Sequence, residues 1–499
     1  MNNPANNASI SNTAPAWEAR IFSPGWRASE GGHVAVMEPA TGETIGAIGV
    51  ANQADVQRAV QVAAQANAGW AATPFDQRAE VMRRAATLLR ERATEFHHWN
   101  VRECGSIGPK AEWELHATYE QLQMCAALPM QPIGEIYPST LPGRINHVQR
   151  VPLGTVAVIT PWNFPLLLAM RSVAPALAMG NTVILKPDLQ AAVTGGALIA
   201  QLFADAGLPE GVLQVLPGGP EAGEALVQHP DVAMVSFTGS TAVGRHIGEV
   251  CGRMLKKCIL ELGGNNVLMV LEDADLDAAA SSGAWGAFLH QGQICMQAGR
   301  HLVHRSVAAA YADKLRARAE ALVVGDPHRA QVHLGPVINR RQHERIDEIV
   351  QDAVRAGARL LTGGPVSGPN AGLFYRPTVL ADVGTEMRAF KEEIFGPVAP
   401  ITVFDTEDEA IALTNASPYG LAAGIHTRQP HRAQQIAQRL HTGMVHINDQ
   451  TVNNEFHVPF GGMGASSGNG SRFGGPANLH EFTQTQWVSV MAQGIQYPF

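Results

Sequence analysis

The sequence predicts an α/β protein built on mostly parallel sheets. Short β-branched runs alternate with amphipathic segments over most of the chain beyond residue 150, and this alternation is typical of βαβ units. The predicted strands are almost continuously apolar, which indicates sheets covered on both faces. The chain has 499 residues, enough for roughly three structural units. Only 16% of them are charged, against ~25% in an average soluble protein.

Composition excludes several classes of function. The net charge of −8 leaves no basic surface to neutralise a phosphate backbone, so we expect no nucleic-acid partner. No apolar run approaches the ~18 residues of a membrane span, so we expect no membrane association. The five cysteines form no CxxC pair and no zinc-ligand set, which is typical of a reduced, cytoplasmic protein without a metal site.

The chain begins with segments unlike the α/β part. Residues 1–16 are rich in Asn, Ala and Ser and lack an apolar stretch, so we expect a disordered tail and not a secretory signal. Residues 54–70 and 77–101 follow the 3.6-residue period of two long helices. Residues 130–151 become β-like after a Pro- and Gly-rich start, and residues 481–490 also alternate as a strand. These two pieces predict either an extra sheet arm or two ordinary edge strands.

The α/β part divides into alternating strands and helices. Strands are predicted at 155–159, 182–185, 212–216, 232–237, 266–271, 401–404 and 444–447. Helices are predicted at 190–206, 222–229, 241–251, 276–290, 306–322, 340–356, 407–415 and 431–440.

Three residues have the chemistry of a nucleophile, a base and an oxyanion donor. Cys295 ends the run Gly-Gln-Ile-Cys, although a free Cys is commonly a buried structural residue. Glu261 follows an apolar run and precedes a Gly-Gly turn, which predicts the end of a strand, where α/β proteins place their chemistry. The alternative is a solvated surface carboxylate. Asn163 lies between two prolines, where its amide can donate to an oxyanion, or where the turn is simply rigid.

A glycine turn follows the strand predicted at 232–237. Residues 237–244 read Phe-Thr-Gly-Ser-Thr-Ala-Val-Gly, and the free N–H groups of a helix N-terminus favour a phosphate. The spacing GxxxxG differs from the GxGxxG dinucleotide fingerprint, and Arg245 follows where a P-loop requires Lys. This turn alone does not identify a ligand.

Together these motifs resemble those of the aldehyde dehydrogenase superfamily. The resemblance runs from about residue 17 to the C-terminus, in the family's order. Its motifs are 161–165, 186–187, 237–244, 261–264, 292–295, 392–397 and 459–462. A closer likeness to bacterial benzaldehyde dehydrogenases rests on 169–175, 186–190 and 288–293. Each motif alone is suggestive, whereas the ordered set is specific.

By this resemblance Cys295 is the nucleophile. Its thiolate attacks the aldehyde carbon to form a thiohemiacetal and, after hydride loss, a thioester. The Asn163 side chain and the Cys295 N–H stabilise the oxyanion, and Glu261 activates the water that hydrolyses the thioester. A non-catalytic binding protein on the same fold is an alternative, against which the presence of all three residues argues. A thiol esterase or CoA-acylating enzyme is another, and a water-activating Glu261 argues against transfer to CoA.

The resemblance also implies an NAD site. The residues that it assigns to the cofactor are Trp162, Lys186, Gly239, Ser240, Gly244, Glu393 and Phe395. Lys186 would reach the adenosine ribose and Glu393 the nicotinamide ribose. NAD-preferring relatives often carry Glu three residues after this Lys, where Leu189 stands here. NADP therefore remains open, although the nearer relatives favour NAD.

The implied substrate pocket is mostly apolar. Its residues are Phe164, Leu168, Arg171, Ile294, Met296 and Phe460. The five apolar side chains suit a neutral aromatic aldehyde similar to benzaldehyde, and Arg171 leaves room for a polar ring substituent. Vanillin- or hydroxybenzaldehyde-type substrates and medium-chain aliphatic aldehydes are the alternatives. Many relatives carry Lys where Ser172 stands, with an effect that the sequence leaves open.

The implied fold combines a Rossmann-type NAD domain, a second α/β catalytic domain and a β-arm for oligomerisation. It predicts the NAD-binding domain at 17–129 and 151–261 and the catalytic domain at 262–463. The arm and the C-terminal segment are predicted at 130–150 and 464–499. We expect a homodimer or homotetramer.

Overall fold

The computed structural model of the protein describes residues 15–368, 372–467 and 470–499. Of the tail predicted at 1–16, all but the last two residues lie outside the described residues. The α/β fold predicted from the sequence is confirmed, because two large sheets of mostly parallel strands dominate the described chain.

The first sheet has seven strands, and Arg20–Phe22, the sixth in spatial order, runs antiparallel to both of its neighbours. In spatial order they are Lys257–Glu261, Val232–Thr238, Thr155–Ile159, Thr182–Lys186, Leu213–Val215, Arg20–Phe22 and Trp26–Ala28. Val156 and Val158 face one hydrophobic core, and Ala157 and Ile159 face another. Both faces of this sheet are therefore covered, as its apolar strands predict.

The second sheet also has seven strands, and its first edge strand is antiparallel. In spatial order they are Arg359–Pro365, Tyr375–Ala381, Val398–Phe404, Arg300–His304, Val267–Val270, Ala422–His426 and Met444–Ile447. Two short antiparallel pairs lie outside the large sheets: His33–Met37 with Thr44–Gly49, and Tyr419–Gly420 with Met463–Gly464.

Helices cover the sheets. They span Gln53–Ala72, Phe75–Glu91, Ala93–Cys104, Gly108–Ala127, Pro165–Ala178, Leu198–Asp205, Pro220–Gln228, Thr241–Arg253, Leu276–Phe288, Ala308–Ala321, Arg340–Arg355, Arg388–Lys391, Glu407–Asn415, Pro430–Ala437 and Ala477–Glu481. Short 3₁₀ segments occupy Leu128–Met130, Leu189–Ala191, Leu289–Gly292 and Arg305–Val307, and a π-helical turn occupies Val193–Ala197. Within the described ranges, no helix combines the length and apolar character that crossing a membrane requires.

The extra sheet predicted from residues 130–151 and 481–490 is present. It has three antiparallel strands, Thr483–Val490, Ile145–Pro152 and Gly134–Tyr137, and we call it the arm sheet. Its longest pairing runs from Thr483 opposite Pro152 to Val490 opposite Ile145. The two β-prone pieces are therefore partners in one sheet and not edge strands of the α/β core.

Several predicted helices have other bounds in the structure. The helix predicted at 190–206 is divided into the 3₁₀ turn Leu189–Ala191, the π-helical turn Val193–Ala197 and the helix Leu198–Asp205. The helix predicted at 77–101 is two helices, because Arg92 leaves the helical conformation at φ −102° and ψ 17° and its guanidinium binds Asp205. The helix predicted at 276–290 ends at Phe288, because the backbone turns left-handed at His290.

Candidate active site

The first sheet brings predicted site residues to one edge. Lys186 and Glu261 are the last residues of their parallel strands, and Gly239 directly follows a third. Asn163 lies in the loop between the strand Thr155–Ile159 and the next helix. This is the carboxyl edge of the sheet, where open α/β folds bind their ligands.

The second sheet contributes through the loops that precede its strands. Asn266, the cysteine loop (residues 289–299) and Glu393 all lie before parallel strands of this sheet. A hydrogen bond of 2.9 Å from Asn163 Nδ2 to the Gln293 carbonyl oxygen joins the two parts. The site therefore lies between the carboxyl edge of one sheet and the amino edge of the other.

The cysteine loop begins with three successive left-handed residues. His290, Gln291 and Gly292 have φ angles of 49°, 58° and 67°. A Cβ at Gly292 would overlap the carbonyl oxygen of Gly396, so only glycine fits this position. The turn redirects the chain out of the preceding helix and into the site.

Asn266 fixes the cysteine loop through hydrogen bonds from its side chain to the loop backbone. Its Nδ2 donates to the carbonyl oxygens of Cys295 at 2.8 Å and Gln297 at 2.7 Å, and its Oδ1 accepts the Ala422 N–H at 2.9 Å. A Cβ at Gly264 would overlap the Cys295 carbonyl oxygen, so the backbones pack closely here. Sequence reasoning missed Asn266, although an amide directly after the Gly-Gly turn was the available signal.

The Cys295 thiol lies at a half-buried position beside several charged groups. Desolvation raises the pKa of Cys295 to about 12, and the nearby charge of Arg171 opposes this rise. The carboxylates of Glu261 and Glu393 raise the pKa further. The thiol therefore needs a proton acceptor before it can act as a nucleophile.

Asn163 is buried and has hydrogen-bonding capacity left over. Its Oδ1 bonds to no described group, and its Nδ2 uses one of two hydrogens on the Gln293 carbonyl oxygen. The second hydrogen remains for an oxyanion formed near the thiol. This placement agrees with the role that the motif predicts for Asn163.

Glu261 is buried at the end of its strand. Burial raises its pKa to about 8, while the charges of Arg171 and Arg472 and a hydrogen bond from Ser467 act in the opposite direction. The Ser467 Oγ donates to Glu261 Oε1 at 3.4 Å. A carboxyl group with such a pKa is suited to accepting a proton near neutral pH.

Three of the predicted cofactor residues lie together opposite Cys295. Glu393 Oε1 accepts the Gly264 N–H at 2.8 Å, and desolvation raises the pKa of this carboxyl group to about 7. Phe395 has a left-handed backbone with φ 55°, and its ring meets that of Trp162 edge-on at 5.6 Å. The conformation of Phe395 was not visible in the sequence.

Lys186 lies farther along the edge of the first sheet. Burial lowers its pKa, and the charge of Asp188 opposes this effect. In the part of the chain that the structure describes, it forms no ion pair with a carboxylate. A buried ammonium of this kind can donate hydrogen bonds to a ligand's hydroxyl groups.

The glycine turn begins the helix Thr241–Arg253. Gly239 donates its N–H to the Glu261 carbonyl oxygen at 3.0 Å, which joins the turn to the end of the neighbouring strand. Ser240 is the exposed N-cap of this helix. A Cβ at Gly244 would overlap the Leu262 side chain, so this glycine permits close packing beside Glu261.

Five of the six predicted pocket residues belong to one buried apolar cluster that contacts Cys295. Its members are Phe164, Leu168, Ile294, Met296 and Phe460, with Ala117, Leu167 and Leu421. Ala117 and Leu421 were missed because they come from distant segments without a motif, whereas Leu167 was missed although it directly precedes Leu168. The surroundings of the thiol are therefore apolar and partly aromatic.

Arg171, the sixth, stacks on the edge of this cluster. Its guanidinium carbon lies 4.2 Å from the ring centre of Phe460 and 5.8 Å from that of Phe473. The neighbouring Ser172 Oγ lies 2.8 Å from Ser236 Oγ, both buried. Ser172 and Ser236 thus form a neutral hydroxyl pair.

Comparison with known proteins agrees with this geometry. Residues 26–488 match the model of the aldehyde dehydrogenase family. The chain belongs to this family. The family resemblance and the fold predicted from the sequence are confirmed.

Among its relatives, this aldehyde dehydrogenase is 60% identical to a benzaldehyde dehydrogenase (NAD(+)) of Pseudomonas putida, over 97% of the chain and 99% of the relative. It is 50% identical to a vanillin dehydrogenase of Amycolatopsis sp., over 97% and 98% of the two chains. A crystal structure of salicylaldehyde dehydrogenase from Pseudomonas putida G7, complexed with salicylaldehyde, superposes with a TM-score of 0.92 at 33% identity, covering 96% and 99%.

Proposed function

We propose that this aldehyde dehydrogenase oxidises an aromatic aldehyde similar to benzaldehyde to the carboxylic acid, with NAD as cofactor. The observation that carries the proposal is the placement of Cys295 against an apolar, partly aromatic cluster, with Asn163 and Glu261 beside it. The relatives named for benzaldehyde and vanillin support the substrate class. The apolar walls favour a neutral ring over a charged substrate.

The chain's own groups supply the covalent chemistry. Glu261, when ionised, accepts the thiol proton of Cys295, so the negative charge moves from the carboxylate to the sulfur. This transfer is unfavourable because the thiol has the higher pKa, and the charge of Arg171 reduces its cost by stabilising the thiolate. The thiolate attacks the aldehyde carbon, and the Asn163 amide and the Cys295 N–H donate to the oxyanion. When bound, NAD accepts the hydride from this carbon. After its first proton has passed to solvent, Glu261 takes a proton from the water that attacks the thioester. The C–S bond then breaks, the acid leaves and Cys295 is regenerated.

The residues present fit a dinucleotide. Lys186 offers a buried donor for the adenosine ribose, and the helix that begins after Gly239 and Ser240 offers the free N–H groups of its first turn for the diphosphate. Gly244 lets the helix approach closely, and Glu393 with Phe395 and Trp162 frames the nicotinamide end. Leu189 leaves no carboxylate against a 2′-phosphate, so NADP is the alternative to test.

One assay tests the activity. Reduced cofactor is followed with benzaldehyde, a hydroxylated benzaldehyde and a medium-chain aliphatic aldehyde, each with NAD and NADP, and with and without CoA. We expect the highest kcat/KM with the aromatic aldehydes and NAD, and no effect of CoA. Absence of reduced cofactor with every aldehyde would overturn the proposal. A stimulation by CoA would favour the acylating alternative.

We also propose that the chain assembles into a homodimer or homotetramer through the arm sheet. Exposed apolar side chains on this sheet support the proposal, among them Ile136 at 72% and Trp487 at 68% exposure. The grouping of strands supports the proposed domain boundaries. These are 17–129 with 151–261 for the NAD-binding domain, 262–463 for the catalytic domain, and 130–150 with 464–499 for the arm and C-terminal segment. None of the five cysteines, all of which lie in the described ranges, forms a disulfide, and this supports a reducing, cytoplasmic location.

A further inference from the structure

A buried polar cluster lies beneath the helix that follows Asn163. Lys110 Nζ donates to Glu114 Oε2 at 2.6 Å and to Asn100 Oδ1 at 3.3 Å, and Asn100 Nδ2 donates to the same carboxylate oxygen at 2.7 Å. All three side chains are almost completely removed from solvent. Burying a charge pair costs free energy unless every group is satisfied. We call these three residues the clamp.

The other oxygen of the Glu114 carboxylate reaches a second element. It accepts the N–H groups of Leu166 at 2.9 Å and Leu167 at 3.0 Å. These are free N–H groups in the first turn of the helix Pro165–Ala178, whose own N-cap residue provides no side-chain bond. Glu114, from a different helix, therefore caps this helix and places a negative charge at its positive end.

The clamp also contacts the turn between Asn163 and this helix. Lys110 Nζ lies 4.4 Å from the ring centre of Phe164, and the ring of His290, at the start of the cysteine loop, meets Phe164 edge-on at 5.4 Å. Phe164 is the residue directly after Asn163. Asn163 is therefore fixed on one side by the capped helix and on the other by its bond to the Gln293 carbonyl oxygen.

We propose that Glu114, held by Lys110 and Asn100, is a positioning residue that keeps the Asn163 amide where it donates to the oxyanion on the substrate. The proposal rests on the oxyanion role of Asn163 in the proposed function. A donor contributes to catalysis only when it is already aimed at the developing charge, so a small displacement of the helix start reduces the rate of the chemical step.

The same domain offers a matched control. Glu103 is also buried and accepts the Val193 N–H at 2.8 Å and the Thr194 N–H at 2.7 Å. It thus fixes a helical turn by the same kind of bond, but this turn does not adjoin Asn163 in the chain. Glu103→Gln therefore removes a buried carboxylate without removing a hydrogen bond to the helix that follows Asn163.

The test compares Glu114→Gln in the wild-type and Asn163→Ala backgrounds. We expect Glu114→Gln to lower kcat roughly 10- to 100-fold, less than loss of the oxyanion donor itself, which costs about 10²–10³-fold in other enzymes. The dissociation constant for NAD should change less than about threefold. With Asn163→Ala present, Glu114→Gln should have almost no further effect on kcat, because the donor that it positions is gone. Glu103→Gln should leave kcat within about threefold of wild type.

Equal losses of kcat in both backgrounds would overturn the proposal, as would a loss in Glu103→Gln equal to that in Glu114→Gln. If Glu114→Gln does not fold, the neutral double variant Lys110→Met with Glu114→Gln takes its place, with the same expectations. Hydrogen exchange of residues 163–170 gives a readout without catalysis and should accelerate in the Glu114 variant. If the wild-type enzyme is inactive with every aldehyde but exchange still accelerates in the Glu114 variant, only the proposed function is refuted. If the Glu114 variant has normal activity and unchanged exchange, the positioning role is refuted.

Discussion

Around Cys295, the charges nearest to the thiol act in opposite directions. Two carboxylates and the loss of water disfavour the thiolate, and Arg171 favours it. This balance keeps the thiol protonated until a base accepts its proton, which protects it from oxidation and alkylation between turnovers. The thiolate therefore forms only when a base accepts the proton, and the resting site contains the neutral thiol.

Replacing the nucleophile gives the simplest prediction at this scale. Cys295→Ala should lower aldehyde oxidation by about 10³-fold or more, because no other described thiol lies beside the apolar cluster. NAD binding should be retained, as measured by a fluorescence titration. Cys125→Ala, at a buried thiol elsewhere in the fold, is the control. Substantial turnover by the Cys295 variant would show that the nucleophile is assigned wrongly.

Arg171 should control the ionisation of the thiol. Arg171→Met removes the cation that lowers the pKa of Cys295, so this pKa should rise further and less thiolate should be present at any given pH. Alkylation of Cys295 by iodoacetamide, measured across pH, should be slower and shift to higher pH. Arg171→Lys keeps the charge and should shift the profile much less. An unchanged profile in Arg171→Met would exclude this electrostatic role.

Glu261 should limit turnover on the acidic side. Its pKa is raised to about 8, so the carboxyl group is mostly protonated below pH 8 and the fraction able to accept a proton falls as the pH falls. Wild-type kcat should therefore decrease from pH 8 to pH 6. In Glu261→Gln, kcat should be about 10²-fold lower than in wild type, and it should no longer decrease between pH 8 and pH 6. Steady turnover equal to wild type would exclude Glu261 as the base.

At the scale of elements, the sequence predicts the strands that lead into the site better than it predicts the helices beside them. The strand that ends at Lys186 is short, apolar and bounded by turns, and it was predicted at 182–185. For the strand that ends at Glu261, only its end was inferred, from the apolar run before the Gly-Gly turn. The helix Pro165–Ala178 escaped prediction because all fourteen of its residues are buried, which removes any polar face and with it the helical period. The break at Arg92 was also missed, because the apolar period continues through it from one helix into the next.

The same reasoning explains which site residues were found. Cys295, Glu261 and Asn163 stand in motifs whose residue types reveal their chemistry. Asn266 and Glu114 act on backbone groups far away in the chain, through contacts that exist only after folding. Residues that support the site from a distance therefore need the structure before they can be identified.

Glycine packing in the helix Thr241–Arg253 provides a prediction for an element. Gly244→Ala would overlap Leu262, so we expect it to destabilise the fold by about 1–3 kcal/mol and to weaken NAD binding. Gly252 lies in the same helix, and a Cβ there meets nothing within 4 Å. Gly252→Ala should therefore be neutral or stabilise by up to about 1 kcal/mol. Thermal unfolding with NAD titrations compares the two, and equal stability of both variants would contradict the close-packing argument.

For the whole molecule, the two α/β sheets and the arm sheet have different kinds of surface. The sheets of the core are covered on both faces, and their low content of charged residues agrees with that burial. The arm sheet instead exposes apolar side chains, which water does not favour on a three-stranded sheet with little core of its own. A second copy of the chain that covers this surface would supply the missing burial.

Assembly through the arm sheet is therefore the prediction at the largest scale. The double variant Ile136→Glu with Trp487→Glu places two charges on a surface that association would bury. The dissociation constant of the assembly should therefore increase by at least about tenfold. Light scattering after size-exclusion chromatography measures the mass of each variant. Val323→Glu changes a side chain of similar exposure, 52%, outside the arm sheet and should leave the mass unchanged. A monomeric wild-type chain, or a dimer or tetramer unaffected by the arm variant, would show that this surface is not the interface.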